Sequence, residues 1–150
     1  MKIYTDGGCS GNPGPGGWAY VIVKDLPESD DPLASIVKEA WGAEKNTTNN
    51  RMELLAAISA LEALPQGCGQ IELYTDSQYL QKGMSLWIKD WKARGWKTAG
   101  KDPVKNQDLW QRLDSLAAGL AISWLWVKGH AGNVYNERCD DLTQKAINSL

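Results

Sequence analysis

Apolar and polar positions alternate in blocks that assign most of the chain to short strands and helices. Residues 2–6 read as a strand ending at Asp6, and residues 18–24, apolar and β-branched, as a second. The glycine- and proline-rich run 7–17 between them predicts turn or loop throughout. A polar connection with Pro27 and Pro32 follows, and residues 35–42 predict a third strand that completes an antiparallel meander. Thr47, Thr48, Asn49 and Asn50 offer N-caps for a helix over 50–64, rich in Leu and Ala and stopped by Pro65 and Gly67. Beyond it the pattern predicts a fourth strand at 71–76 and short helices at 77–84 and 86–93. A helix within 103–120 carries Leu109, Leu113, Leu116 and Leu120 on one face. A fifth strand at 122–127 and a last helix at 136–149 complete the chain. Strands in series followed by alternation predict an α/β mixed sheet with helices packed on it. No compositional break divides residues 1–150, so one domain is expected.

Composition narrows the class. The chain has 150 residues, 43% hydrophobic and 23% charged, which suits a folded domain with its own core. The three cysteines, Cys9, Cys68 and Cys139, are far apart and lack CxxC spacing, which argues against a zinc site or a disulfide scaffold and for a reducing compartment. The first residues form no apolar signal segment, and the most apolar stretch, 116–127, is too short to span a bilayer. A cytoplasmic protein without membrane association is expected.

Four acids stand in suggestive places. Ile3-Tyr4-Thr5-Asp6-Gly7 is echoed by Leu73-Tyr74-Thr75-Asp76-Ser77, two strands that each end in the same tripeptide. Side chains alternate along a strand, so Tyr4 shares a face with Asp6, and Tyr74 with Asp76. If the strands are parallel neighbours in register, the two carboxylates lie roughly 5 Å apart. They would repel unless a cation neutralises both, and an oxygen-rich site of this kind suits Mg²⁺ or Mn²⁺. Either aspartate alone is equally well explained as a strand-end turn former. Glu53 continues the small apolar face of Ala56, Ala57, Ala60, Leu61 and Leu64, which turns its carboxylate toward the sheet. A dipole role explains its place along the helix but not its face. Asp140 borders the stripe Cys139, Leu142 and Ala146 in the last helix, where acids of the first turns are ordinary. The single histidine, His130, lies in a glycine-flanked loop unsuited to a core role.

The net charge of −2 at first opposes nucleic-acid binding. Its distribution reverses that inference. Residues 82–105 hold seven basic residues (Lys82, Lys89, Lys92, Arg94, Lys97, Lys101 and Lys105) against Asp90 and Asp102, a net of +5. The remainder holds nine basic and sixteen acidic residues, a net of −7. Trp87, Trp91 and Trp96 interleave with these cations. Basic residues among aromatics suit a backbone-binding surface, although core packing is the better reading for Trp91.

Together these segments make the chain resemble the bacterial type 1 ribonuclease H family over essentially its whole length. The resemblance is carried by residues 4–17, 47–54, 74–79, 91–98 and 126–140. It implies a five-stranded mixed sheet flanked by helices, with strands 1–3 an antiparallel meander and strands 4 and 5 parallel to strand 1. It implies an endonuclease that hydrolyses the RNA strand of RNA–DNA hybrids by in-line attack of water with two metal ions, leaving 5′-phosphate and 3′-hydroxyl ends. Asp6, Glu53, Asp76 and Asp140 match the family's metal-binding carboxylates, and His130 the loop histidine that assists proton transfer or product release. Cys9, Gly11, Asn12, Asn49 and Gln78 match minor-groove contacts, where the RNA 2′-hydroxyls are exposed. Thr48 and Asn106 match a DNA-phosphate pocket, and Tyr79 and Trp87 a channel against DNA sugars. The segment with Lys92, Arg94, Trp96 and Lys97 matches the family's basic protrusion. Lys45-Asn46 departs from the arginine that often precedes the two threonines of the pocket. The connection around 25–34 is longer than usual. A monomer with no obligate protein partner is implied. A P-loop is excluded because residues 7–17 lack a Gly-Lys-Ser/Thr ending. A non-catalytic hybrid-binding module is disfavoured by the four carboxylates.

Overall fold

The computed structural model describes residues 1–24, 31–129 and 132–150. Residues 25–30, within the long polar connection, and His130 with Ala131 lie outside the described residues. The described elements are β1 (Lys2–Cys9), β2 (Gly14–Val23), β3 (Ile36–Thr47), α1 (Asn49–Glu62), β4 (Gln70–Thr75), α2 (Gln78–Lys82), α3 (Ile88–Ala93), α4 (Gln107–Ala117), β5 (Ala121–Trp126) and α5 (Val134–Asn148).

Five strands form one mixed sheet in the order β3-β2-β1-β4-β5. β1, β2 and β3 are antiparallel neighbours, while β4 runs parallel to β1 and β5 parallel to β4. This is the ribonuclease H-like sheet that the resemblance implied. Tyr4 pairs with Tyr74 and Thr5 with Thr75, so the repeated tripeptides are in register.

The sheet buries both faces. Ile3, Ile22, Ile71 and Leu73 point to one side and pack with Leu54, Ala57, Ile58 and Leu61 of α1 and with Leu109, Trp110 and Leu113 of α4. Tyr4, Ala19, Val21 and Val23 point to the other and pack with Cys139 and Leu142 of α5. Burial of these alternating sets is the main driving term for the architecture.

Several sequence expectations are corrected. The run 7–17 is not loop throughout: β1 continues to Cys9, β2 begins at Gly14, and the glycines pair across the hairpin, Gly7 with Trp18 and Gly8 with Gly17. The reason is close packing rather than turn formation. A Cβ on Gly7 would stand 2.4 Å from the Met52 carbonyl carbon, so the bare backbone lets the first turn of α1 lie directly on β1. A Cβ on Gly17 would meet the Thr143 carbonyl oxygen at 2.8 Å, and its absence lets α5 approach from the other face.

The third strand runs on to Thr47, because pairing with β2 continues well past Gly42. The two short helices are joined by a π-helical turn at Gly83–Trp87 rather than separated. Leu120 does not belong to the α4 face. The helix ends at Ala117, Gly119 takes φ 80°, and Leu120 is left partly exposed. Among the described residues no helix is long and apolar enough to cross a membrane.

Candidate active site

Asp6 lies within β1, just past its parallel pairing with β4, and Asp76 immediately after β4, side by side because the two strands are parallel and in register. Thr48 caps α1, its hydroxyl accepting the Arg51 amide at 3.2 Å. The helix therefore starts at the sheet end, and Gly7 admits its first turn. Glu53, one turn in, is thereby delivered beside Asp6 from the face opposite α5. Asn133 caps α5 through Tyr135 N and Asn136 N, both at 3.0 Å. That helix brings Asp140 and Thr143 to the same end from the other face.

Oxygens of Asp6, Glu53 and Asp76 lie within 4.8 Å of one another. With Asp140 they line an open cavity of about 310 Å³, together with Asn49, Asn50, Ser77 and Gln144. Asp6 and Glu53 are buried, while Asp76 and Asp140 are partly open to solvent. Burial, then the neighbouring Asp76, pushes the Asp6 carboxyl up to about 7. Burial, then Asp6 and Asp76, holds Glu53 well above the ordinary carboxylate range. Glu53 Oε2 is buried without a hydrogen-bond partner among the described residues. Three converging carboxylates, one with an orphaned oxygen, are costly alone and fit a hard divalent cation that takes oxygen ligands.

The described positions of the sequence-identified contacts fall into three groups. Cys9 N donates to Asn49 Oδ1 at 2.7 Å and Asn49 N to Asn12 Oδ1 at 3.1 Å, which knits Cys9, Asn12 and Asn49 into one surface beside the acids. Gly11 is exposed there at φ 90°. Gln78 is also exposed, its Oε1 accepting from Lys82 Nζ at 3.3 Å.

Tyr79 and Trp87 form the second group, with ring centroids 6.2 Å apart and Trp110 and Trp91 behind them. Asn106 joins this group, its Nδ2 donating to the Tyr79 hydroxyl at 3.1 Å.

The third group is the basic segment. Lys92, Arg94 and Lys97 are exposed, although Lys92 Nζ also meets Asp114 at 3.2 Å. Trp91 and Trp96 are half-buried against the main core, so anchoring is part of the role of both. The sequence expectation for His130 lies outside the described residues.

Three functional neighbours escaped the sequence reading. Arg51 reaches Asn106 and Asp108, more than fifty residues away, and nothing local announces those partners. Trp126 donates its indole N–H to the Asp76 carbonyl at 3.1 Å. Thr143 lies next to Asp6 and counteracts part of its pKa rise. The i, i+3 spacing of Asp140 and Thr143 on one helix was the available signal for the last. Cys139 is fully buried, its thiol donating to the Tyr4 carbonyl at 3.2 Å, and burial holds it in the thiol form, which excludes it as a nucleophile.

Comparison with known proteins agrees with this geometry. The sequence profile of the RNase H family matches residues 1–148. The chain is 55% identical over 150 residues to the ribonuclease H of Cupriavidus necator, covering all of this chain and 97% of that one. It is 53% identical over 150 residues to the ribonuclease H of Aromatoleum aromaticum, covering all of this chain and 92% of that one. Among solved structures it resembles LC9-RNase H1, described as a type 1 RNase H with the type 2 active-site motif. The TM-score is 0.83 at 36% identity, over 99% of this chain and 72% of that one.

Proposed function

The chain belongs to the ribonuclease H family and is a ribonuclease H, a nuclease hydrolase; from that premise we propose that it is an endonuclease cutting the RNA strand of RNA–DNA hybrids with two divalent ions. The observation that carries this reading is the convergence of Asp6, Glu53 and Asp76 at the open end of the sheet, with Asp140 on the same cavity. No side-chain nucleophile is needed, in keeping with the buried, protonated Cys139.

Asp6, Glu53, Asp76 and Asp140 would hold Mg²⁺, with Mn²⁺ as the alternative. When bound, the ions supply an activated water and stabilise the leaving oxygen of an in-line displacement, leaving 5′-phosphate and 3′-hydroxyl ends. Asp6 and Glu53 are buried and crowded, so a cation held between them would offset the cost of charging both. Asp76 and Asp140, more open, face the side from which a phosphate arrives. His130 assists proton transfer or product release.

Substrate choice follows from two surfaces. Cys9, Gly11, Asn12, Asn49 and Gln78 read the minor groove, where 2′-hydroxyls distinguish RNA. Thr48 and Asn106 take a DNA phosphate, Tyr79 and Trp87 pack against DNA sugars, and Lys92, Arg94, Trp96 and Lys97 add the basic flank. In this reading residues 1–150 form one catalytic domain, with 82–105 as its basic protrusion. It works as a monomer in the cytoplasm, in line with three unpaired cysteines.

The test is incubation with RNA–DNA hybrid, double-stranded RNA and double-stranded DNA, with and without Mg²⁺, followed by end analysis of the products. Cutting confined to the hybrid and to Mg²⁺, with 5′-phosphate ends, is expected. Binding of the hybrid without cutting at any divalent ion overturns the catalytic reading.

A further inference from the structure

Asn106 stands immediately before α4 at φ 58°, in the left-handed region that asparagine tolerates better than most residues. Its amide is held at both ends. Oδ1 accepts from Arg51 Nη1 at 3.3 Å, and Nδ2 donates to the Tyr79 hydroxyl oxygen at 3.1 Å. Trp110 Nε1 donates to the same hydroxyl at 3.0 Å. Arg51 is itself fixed by two bonds to Asp108, Nη1 to Oδ1 at 3.1 Å and Nη2 to Oδ2 at 2.9 Å.

The polarity of this network is forced. A guanidinium has donors and no acceptor, so the end of Asn106 facing Arg51 must be its oxygen, and the end facing Tyr79 must be its NH₂. A tyrosine hydroxyl has two lone pairs and one hydrogen. Here both lone pairs are taken, by Asn106 Nδ2 and by Trp110 Nε1, so the Tyr79 hydrogen is committed to neither and remains for a third group. The second hydrogen on Asn106 Nδ2 can also donate. The pair thus presents donors only, which suits an anionic oxygen and repels nothing on a phosphate.

We propose that Arg51 is a positioning residue for substrate binding: by donating to Asn106 Oδ1 it fixes the direction of that amide and makes Tyr79 and Asn106 a donor pair for one DNA backbone phosphate. The inference rests on the reading that the chain binds RNA–DNA hybrid. Without Arg51 the amide is free to turn over. Its oxygen then accepts the Tyr79 hydrogen, and that donor is lost. Asp108 holds Arg51 in place but does not set the amide's direction.

The experiment is a binding scan, in EDTA so that nothing is cut, with hybrids in which one DNA phosphate at a time is a neutral methylphosphonate. The wild-type chain should lose about tenfold or more in affinity at one position, the loss of a hydrogen bond to a charged group. In Arg51→Met the penalty at that position should shrink by about threefold or more, Thr48 remaining as the other phosphate contact. In Asp108→Asn the wild-type penalty should persist, because Arg51 still donates to Asn106. A salt bridge that served stability alone would make the two variants behave alike. Arg51→Lys, which keeps a donor, should restore the penalty if Arg51→Met proves poorly folded in thermal melts. A full penalty in Arg51→Met, equal loss in both variants, or no position-dependent penalty in the wild type overturns the proposal. Failure of the wild type to bind hybrid at all overturns the underlying reading of function as well, and so is distinguishable.

Discussion

Tyr4 and Tyr74 face each other across β1 and β4 with their rings stacked, centroids 4.8 Å apart and planes 11° from parallel. Two residues further along the same strands, on the same face, stand Asp6 and Asp76. Tyr135, in the first turn of α5, packs on Tyr4 at 5.1 Å. The stack thus ties both strands and the helix bearing Asp140 to one rigid platform beneath the acids. Replacing Tyr4 by alanine should cost about 3–5 kcal/mol of stability, as large-to-small aromatic changes in cores do. It should also weaken Mg²⁺ affinity. Chemical denaturation and metal titration check the two effects separately, and unchanged metal affinity in a folded Tyr4→Ala would remove the platform role.

Stability without divalent metal should fall as pH rises. The Asp6 carboxyl is raised from the ordinary 3.8 to about 7, and Glu53 is raised as well. The unfolded chain therefore gives up these protons first. The stabilisation is complete below the unfolded value and is lost as pH climbs through the folded value of about 7. Thermal melts from pH 4 to 8 in EDTA should show this decline, and Mg²⁺ should reverse much of it at pH 7. A flat profile in EDTA would contradict the assignment.

Asp6→Asn should abolish Mg²⁺-dependent cleavage and leave the fold intact. In EDTA at pH 8 the variant should be more stable than the wild type by a few kcal/mol, since a buried charge next to Asp76 is gone. Paired activity and unfolding measurements test this. A variant with full activity would refute the metal-site reading.

Gly7→Ala should lower both stability and activity. The added Cβ would stand 2.4 Å from the Met52 carbonyl carbon and 2.5 Å from Glu53 N, so α1 must shift and carry Glu53 away from Asp6. The backbone contact cannot yield by a rotamer change. Reduced apparent Mg²⁺ affinity in a folded variant is the expected signature.

His130→Ala should slow turnover without eliminating it, because the carboxylates and substrate contacts remain. Steady-state and single-turnover rates separate the two roles assigned to it. A loss confined to the steady state points to product release, and a loss in both points to proton transfer. An unchanged rate in both measurements would remove His130 from the site.

Much of the site is legible in the residue order alone. The repeated tripeptides ending at Asp6 and Asp76 disclosed two carboxylates at equivalent places on neighbouring strands, although β1 itself runs on to Cys9, and the apolar company of Glu53 disclosed its inward face. These signals are local, because strand alternation and helical period are properties of neighbouring residues. The glycine run was misread for the same reason: glycine signals a turn locally, and its role under α1 and α5 depends on residues far along the chain.

The chain's own residue order therefore determined most of the elements, a mixed sheet with helices packed on it and the identity of the acids. The tertiary structure alone decided that Glu53 and Asp140, on helices packed against opposite faces, reach one cavity at the sheet end. It alone joined Arg51 to Asn106 and Asp108, and Asn106 and Trp110 to the Tyr79 hydroxyl. The reason is that convergence depends on parallel register, helix approach distance and hydrogen-bond polarity between distant residues, and none of these leaves a trace in local periodicity.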